Sequence, residues 1–116
     1  MARIRTLKPS FWGDEKVADL SMSARLLLIG LISSADDEGR FLASHSAVVG
    51  YVFPHDTIPP ARLKAWMDEV QASGIIQLYR VGQREYGVFP KWASHQKINR
   101  PQASSLPSPP TQGVTQ

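Results

Sequence analysis

The chain has 116 residues and a mass of 12.8 kDa, enough for one domain, and its 42% of apolar residues can build a core. It contains no cysteine, which excludes a disulfide scaffold, a thiol nucleophile and a zinc site built on thiolates. The net charge is +3. No apolar run approaches the ~20 residues that span a bilayer, and no signal core follows the N-terminus, so we expect a cytoplasmic protein with no membrane partner.

The first apolar segments predict two helices. Residues 11–20 form an apolar lead-in and a short helix that begins near Asp14. Ser21 is a favourable N-cap for the next helix, residues 22–34, because its hydroxyl can accept a hydrogen bond from a first-turn amide. This second helix is apolar on nearly every face, so we expect it at the centre of the domain, with Gly30 admitting a close neighbour.

A turn, a strand and another helix are predicted next. The acidic residues and glycine at 36–39 indicate a solvated turn, and these acids can pair with nearby basic residues. A calcium loop would need ligands at alternating positions and a distal glutamate, and both are absent. Residues 40–42 predict a short strand, and residues 46–53 predict a helix that Pro54 ends.

The following segment predicts a helix and a β-hairpin. The helix at 59–73 starts with two prolines, which the first turn tolerates, and its apolar spacing buries one face. Gly74 is the expected left-handed cap of that helix. Residues 75–81 and 85–89 are rich in β-branched and aromatic side chains and flank a tight turn at 82–84.

This order of elements is typical of an α+β winged helix-turn-helix. The helix at 22–34 is then the central one, and the helix at 59–73 takes the recognition position. The hairpin at 75–89 is the wing, and the strand at 40–42 pairs with its edge to form a three-stranded sheet. We therefore predict a winged-helix domain over residues 1–100.

The composition changes at Pro101. Residues 101–116 hold four of the nine prolines, together with Ser, Thr, Gln and few other apolar side chains. Such a segment cannot bury enough surface to fold, so we predict a disordered tail or linker. As an alternative, the prolines from Pro107 onward are a polyproline ligand for a partner domain. A linker with nothing after it leaves open whether a C-terminal domain belongs beyond it.

Charge is distributed unevenly along the chain. Residues 1–13 carry a net charge of +3, residues 14–69 carry −4, and residues 70–116 carry +4. Basic ends around an acidic middle suggest an anionic partner, with nucleic acid the first choice. The alternative is that these short basic stretches only keep the chain soluble.

Four phrases of the sequence carry a family resemblance: residues 3–12 (RIRTLKPSFW), 20–31 (LSMSARLLLIGL), 35–41 (ADDEGRF) and 95–101 (HQKINRP). Over about residues 2–101 the chain resembles the N-terminal winged-helix domain of phage and prophage replication proteins, the helix-turn-helix group akin to DnaD-like replisome organisers. The resemblance implies DNA binding at a replication origin in a bacterial host cell, recruitment of a helicase or its loader, and no catalysis. Such proteins usually continue into a second domain after a proline-rich linker, whereas this chain stops inside that linker.

Basic and amide side chains supply the candidate DNA contacts, and they fall in four places. The wing offers Arg80, Gln83 and Arg84; the segment after it offers Lys91, Lys97 and Arg100; the recognition-position helix offers Arg62 and Lys64; the N-terminus offers Arg3 and Arg5. A wing tip commonly reaches a phosphate or the minor groove, where arginine is favoured.

Each of these places has a structural alternative. The wing can be an ordinary solvated turn, and Trp92 and Ile98 can simply dock the segment after it. The recognition-position helix has no net charge, which suits deep major-groove readout poorly. For the N-terminus we favour a strand against the core with its charges outward, because Ile4 and Leu7 have apolar partners to find.

Nothing in the sequence indicates catalysis. The three histidines (His45, His55 and His95) have no metal-ligand spacing, and there is no phosphate-binding glycine loop and no nucleophile elbow. We expect no metal, no cofactor and no enzymatic activity.

The function expected from these observations is that of a non-enzymatic DNA-binding domain of a phage-type replication initiator, with double-stranded DNA as its partner. One alternative is a protein–protein interaction module that self-associates into a homo-oligomer or binds a helicase loader. Another is a phage transcriptional regulator.

Overall fold

The structure is a computed structural model that describes residues 3–110. Its α-helices are α1 (Glu15–Ala18), α2 (Met22–Ser34), α3 (His45–Val52), α4 (Pro60–Ala72) and α5 (Trp92–His95), and its strands are β1 (Arg40–Leu42), β2 (Gln77–Val81) and β3 (Arg84–Val88). A 3-10 turn at Pro9–Gly13 precedes α1. None of the helices in this range has the length and apolar character needed to cross a membrane. The fold is α+β, as predicted, and its element order is compatible with a winged helix.

Helix α2 begins where the sequence predicts. The Ser21 hydroxyl accepts a hydrogen bond from the Ala24 amide at 3.2 Å, so the cap forms as expected. A Cβ added at Gly30 would lie 2.5 Å from Val52 of α3, which confirms that this glycine admits a close neighbour. The expected central place of α2 is confirmed by its four fully buried side chains, Ala24, Leu27, Leu28 and Leu31. One face is nevertheless open to solvent, because Met22 is 80% exposed and Leu26 is 55% exposed. Helices α3 and α4 cover only the other faces of α2.

The three strands form one antiparallel sheet in the order β1-β3-β2, which confirms the predicted pairing of the first strand with the hairpin. Arg40 pairs with Val88 at one end of the sheet, and Arg84 pairs with Val81 at the other end. The connection between β2 and β3 is the two-residue turn Gly82–Gln83, in which the glycine has φ 64°. A positive φ at this position is readily reached only by glycine, so Gly82 sets the tightness of the wing.

Side chains alternate between the two faces of the sheet. On the inner face, Phe41 packs over Gly87 and joins the core formed with the helices. On the outer face, Tyr79 and Tyr86 stack with ring centroids 5.7 Å apart. Both tyrosines are buried, although a three-stranded sheet with helices on one side would leave this face open to solvent.

The segment after Pro101 is the reason that the outer face is buried. Residues 101–110 contain no helix or strand, as expected for a segment with the composition of a linker. Leu106 nevertheless packs against the outer-face tyrosines, and its neighbours hydrogen-bond to the domain. We call residues 102–107 the arm. The remainder of the predicted linker, residues 111–116, lies outside the described residues.

Candidate nucleic-acid interface

The wing tip presents polar side chains to solvent. Gln83 and Arg84 are exposed at the turn that joins β2 to β3. The Arg80 guanidinium donates a hydrogen bond to the Gln83 carbonyl at 3.1 Å and lies 3.8 Å from a Glu85 oxygen. These contacts brace the turn from one side. Arg84 makes no side-chain hydrogen bond or ion pair within residues 3–110, so its charge is not compensated by that part of the chain.

The recognition-position helix α4 turns one apolar face to the core, as its spacing predicts. Leu63, Met67 and Val70 are buried, and the Trp66 ring lies 5.8 Å from that of Phe53. The opposite side of the helix is therefore turned to solvent, as a helix that contacts DNA requires.

Two predicted cations stand on the exposed side of α4. Lys64 Nζ lies 2.9 Å from Asp68 Oδ2, and this hydrogen bond raises the pKa of the Lys64 amine above its usual value. Within residues 3–110, Arg62 has no such partner. The first two turns of α4 thus carry one unpaired cation, Arg62, and one that is balanced by a carboxylate, Lys64.

A groove of about 480 Å³ separates α4 from the wing. Its walls include the ion pairs Lys64–Asp68 on the helix and Arg80–Glu85 on the hairpin. These four charges cancel, so the groove itself does not attract a polyanion. The attraction available at this end of the molecule comes from Arg84 at the tip and from Arg62.

The other predicted cations lie at the opposite end of the sheet. Lys91 follows β3 and immediately precedes α5, and Lys97 and Arg100 lie beyond that helix; all three are exposed. Strand β3 spans about 14 Å from Arg84 to Val88 at ~3.4 Å per residue. The structure therefore divides the predicted contacts into a wing end and a second end, and it does not bring them into one patch.

At this second end, Asp37 holds the N-terminal arginines. One Asp37 oxygen lies 3.0 Å from Arg5 Nη2, and the other lies 3.4 Å from Arg3 Nε. The backbone amide of Gln102 donates a hydrogen bond to the same carboxylate at 2.9 Å. This amide, followed by the two guanidinium groups, lowers the pKa of Asp37 although burial acts in the opposite direction.

The expectation that the N-terminal charges point outward is wrong for Arg5. Its side chain is 4% exposed, it donates to the Ala35 carbonyl at 2.8 Å, and its guanidinium lies 5.2 Å from the Trp92 ring centre. Ile4, which we expected to find an apolar partner, is 99% exposed. Here the charged side chain is buried and the apolar one is exposed. The buried Asp37 carboxylate accounts for this, because it gives Arg5 an ion pair, and Trp92 adds a cation–π contact. Arg5 cannot reach a phosphate from this position.

Arg3 is also engaged at this end, although it is more exposed than Arg5. Its guanidinium donates to the Asn99 carbonyl at 2.8 Å and to the Arg100 carbonyl at 3.1 Å. The Thr6 backbone amide donates to Gln96 Oε1 at 3.0 Å, and Gln96 Nε2 donates back to the Thr6 carbonyl at 2.9 Å. The N-terminal segment is therefore fastened along residues 94–100.

Three of the four phrases that carry the family resemblance meet here: residues 3–12, 35–41 and 95–101. Short helix α5 supplies Trp92, whose indole Nε1 donates to the Asp37 carbonyl at 3.0 Å. A helix of four residues is too short to show a periodic pattern in the sequence, so α5 was not predicted. The acids of the turn were expected to meet basic residues, but neither the partners nor the burial of Asp37 could be read from the pattern.

Comparisons with models of protein families, with curated proteins and with solved structures gave no match to this chain. Within residues 3–110, no three histidine, cysteine, aspartate or glutamate side chains gather as metal ligands do. His45, the histidine nearest the groove, instead places Nε2 2.7 Å from the Ile58 carbonyl oxygen.

Proposed function

We propose that the chain is a non-enzymatic, DNA-binding winged-helix domain of a phage-type replication initiator. The observation that carries the proposal is the wing tip, where Gln83 and Arg84 stand exposed on a braced two-residue turn beside the exposed side of α4. The replication role rests on the resemblance of residues 2–101 to the N-terminal domains of phage replication proteins.

Binding would be dominated by phosphate contacts. Arg84 would meet the backbone or enter the minor groove, where arginine is favoured. Arg62, in the first turn of α4, would contact a phosphate at the edge of the adjacent major groove. The neutral groove between helix and wing argues for affinity set by these two positions and for modest base discrimination by α4.

Fluorescence anisotropy with labelled double- and single-stranded DNA over a salt series tests this proposal. We expect tighter binding to the duplex, with an affinity that falls steeply as salt rises, because each phosphate contact releases about one counterion. Arg62→Glu/Arg84→Glu should reduce the affinity at least tenfold and make its salt dependence shallower.

Lys16→Glu is the matched control for that experiment. Lys16 is exposed in α1, outside the proposed interface, and its substitution changes the net charge by the same amount as each of the two arginine changes. Equal losses for Lys16→Glu and Arg84→Glu would indicate a response to net charge alone. Absence of binding to any DNA at low salt would refute the proposal.

One observation favours a second candidate function, a protein–protein interaction module. The α4–wing groove is neutral, and the open face of α2 exposes Met22 and Leu26, side chains that a partner could cover. Such a module would self-associate or bind a helicase loader. Analytical ultracentrifugation of a chain that fails to bind DNA would favour this function if it gave an oligomer.

A transcriptional role would use the same DNA chemistry with a different target. A cluster of repeated sites inside a replication gene favours the initiator, and an inverted repeat beside the chain's own gene favours a regulator. Footprinting on the surrounding DNA distinguishes the two.

A further inference from the structure

The arm is held at both of its ends by side chains of the domain. At the first end, three consecutive acids each accept one hydrogen bond from the arm: Asp37 from the Gln102 backbone amide, Glu38 from the Ser104 backbone amide, and Asp36 from the Ser104 hydroxyl. We call Asp36–Glu38 the acid turn. Its three carboxylates are thus matched to donors of an extended peptide.

At the other end, the arm binds the outer face of the sheet. Leu106 packs on the stacked rings of Tyr79 and Tyr86. Arg40 Nη1 donates to the Leu106 carbonyl at 2.9 Å, and the Tyr79 hydroxyl donates to the Pro107 carbonyl at 2.7 Å. An aromatic surface whose hydroxyl binds a prolyl carbonyl is the chemistry by which proline-rich peptides are recognised.

The arm itself has the features of a bound peptide. It has no helix or strand, and prolines at both ends favour an extended backbone. Its internal hydrogen bonds join Ser104 and Leu106: the Leu106 backbone amide donates to the Ser104 hydroxyl at 3.0 Å, and that hydroxyl lies 3.4 Å from the Leu106 carbonyl. The contacts therefore distinguish positions: a serine, an apolar side chain two residues later, and a proline after that.

The hinge before the arm is strained. Arg100 has φ 54°, a left-handed conformation that a side chain disfavours, and the Pro101 ring that follows further restricts this residue. The Arg100 carbonyl also accepts a hydrogen bond from Arg3 at 3.1 Å, so the N-terminal segment holds the residue from which the arm departs.

We propose that the acid turn, Arg40 and the outer-face tyrosines form a peptide-binding site for extended Ser-x-Leu-Pro segments. Residues 102–107 occupy the site as an intramolecular ligand. The same segment of a second copy of this chain is the ligand that fits it in trans, because its side chains are identical.

A free peptide with the sequence of residues 101–110 tests the proposal. It is titrated into the ¹⁵N-labelled full chain carrying Leu106→Asp, which puts a carboxylate against the tyrosine rings and releases the arm. We expect saturable shifts of residues 36–40 and of Tyr79 and Tyr86. The wild-type chain should bind at least tenfold more weakly, because its own arm competes at the millimolar effective concentration of a short tether.

Two controls make the result specific. A peptide that carries the same Leu106→Asp change should not bind, and Tyr79→Phe in the arm-released chain should weaken binding several-fold by removing the hydroxyl donor. If Leu106→Asp does not fold, Ser104→Pro releases the arm from the acid turn without touching the core.

The proposal is overturned if neither arm-released variant binds the peptide at millimolar concentration. It is also overturned if the backbone amide of Gln102 keeps its wild-type shift in both variants, since Leu106 and Ser104 would then not anchor the arm. DNA binding is read separately, so the outcome does not depend on the function proposed above.

Discussion

The two ends of the sheet carry similar numbers of basic residues and use them differently. At the wing end, Arg84 and Arg62 stand in solvent without a partner in the described part of the chain. At the other end, Arg3 and Arg5 converge on Asp37, and Arg5 is buried with it. The wing end thus presents two unpaired arginines to solvent, whereas the other end uses its two N-terminal arginines to hold its segments together, beside the exposed Lys91, Lys97 and Arg100.

This difference teaches how far a charge count can be trusted. The N-terminal stretch contributes +3 to the sequence, yet two of its three cations face an internal carboxylate. A cation is a candidate for DNA binding only after its internal partners are known. The substitutions below separate stabilising cations from surface cations.

The largest effect is expected from Arg5→Met. The change leaves the Asp37 carboxylate buried opposite Arg3 alone and removes the cation–π contact with Trp92. We expect the melting temperature to fall on the order of 10 °C. Thermal unfolding followed by circular dichroism measures it.

Lys64→Met is the matched control, because its ion pair with Asp68 is exposed and contributes little. If both variants melt together, the two ends do not differ in the way described.

A comparable effect is expected in the middle of the sheet, from Gly87→Ala. The new methyl group would collide with the Phe41 ring, which lies directly over this glycine. We expect a loss of about 1–3 kcal/mol in the free energy of unfolding, measured by urea denaturation.

Gly50→Ala tests the same chemical change in open space. Apart from the adjacent residues and the backbone of α3 itself, no atom of the described residues lies within 4 Å of the added Cβ, so stability should rise by about 0.5–1 kcal/mol. A loss at Gly50 as large as that at Gly87 would show that the Phe41 contact is not the cause.

Acid should weaken the Asp37 end selectively. The folded-state pKa of Asp37 is lowered, so its stabilising contribution is complete above the unfolded-state pKa of about 3.9 and is lost as the pH falls through the folded-state value. The difference in unfolding free energy between wild type and Asp37→Asn should be constant from about pH 5 to about pH 7. It should become smaller as the pH falls below about 4. A difference that is unchanged below pH 4 and becomes smaller only above pH 5 would show that the Asp37 carboxylate is not its source.

The smallest effect is expected from single alanine changes in surface cations. Arg84→Ala should weaken DNA binding about three- to tenfold, because one phosphate contact is lost, while the melting temperature stays unchanged. Lys97→Ala at the other end should weaken binding less. Equal losses in anisotropy titrations would place DNA across both ends and break the comparison.

Much of the fold could be predicted because local signals were sufficient. Ser21 marks the start of α2, and Gly82 marks the wing turn, each through a requirement that lies within a few residues. The contacts of the candidate site could be predicted less well. Whether Arg5 or Ile4 faces inward depends on Asp37 and Trp92, which are 32 and 87 positions away from Arg5.

The arm escaped prediction for a related reason. Its composition correctly indicates that it has no helix or strand of its own. Docking depends on Tyr79 and Tyr86, which an alternating strand pattern places on the solvent side of the sheet. The sequence of the arm contains no periodic pattern from which its contact with the outer face of the sheet could be predicted.

The fastening of residues 3–8 along residues 94–100 also has a consequence for biosynthesis. Arg3 bonds to the Asn99 carbonyl across 96 positions of the chain, so this contact cannot form until nearly the whole domain has been translated. At about 5–20 residues per second, the ribosome needs roughly 5 to 20 s to cover that distance. The first residues to emerge are thus among the last to find their place, and the nascent chain must keep Arg3 in solution without its folded-state hydrogen-bond partners until then.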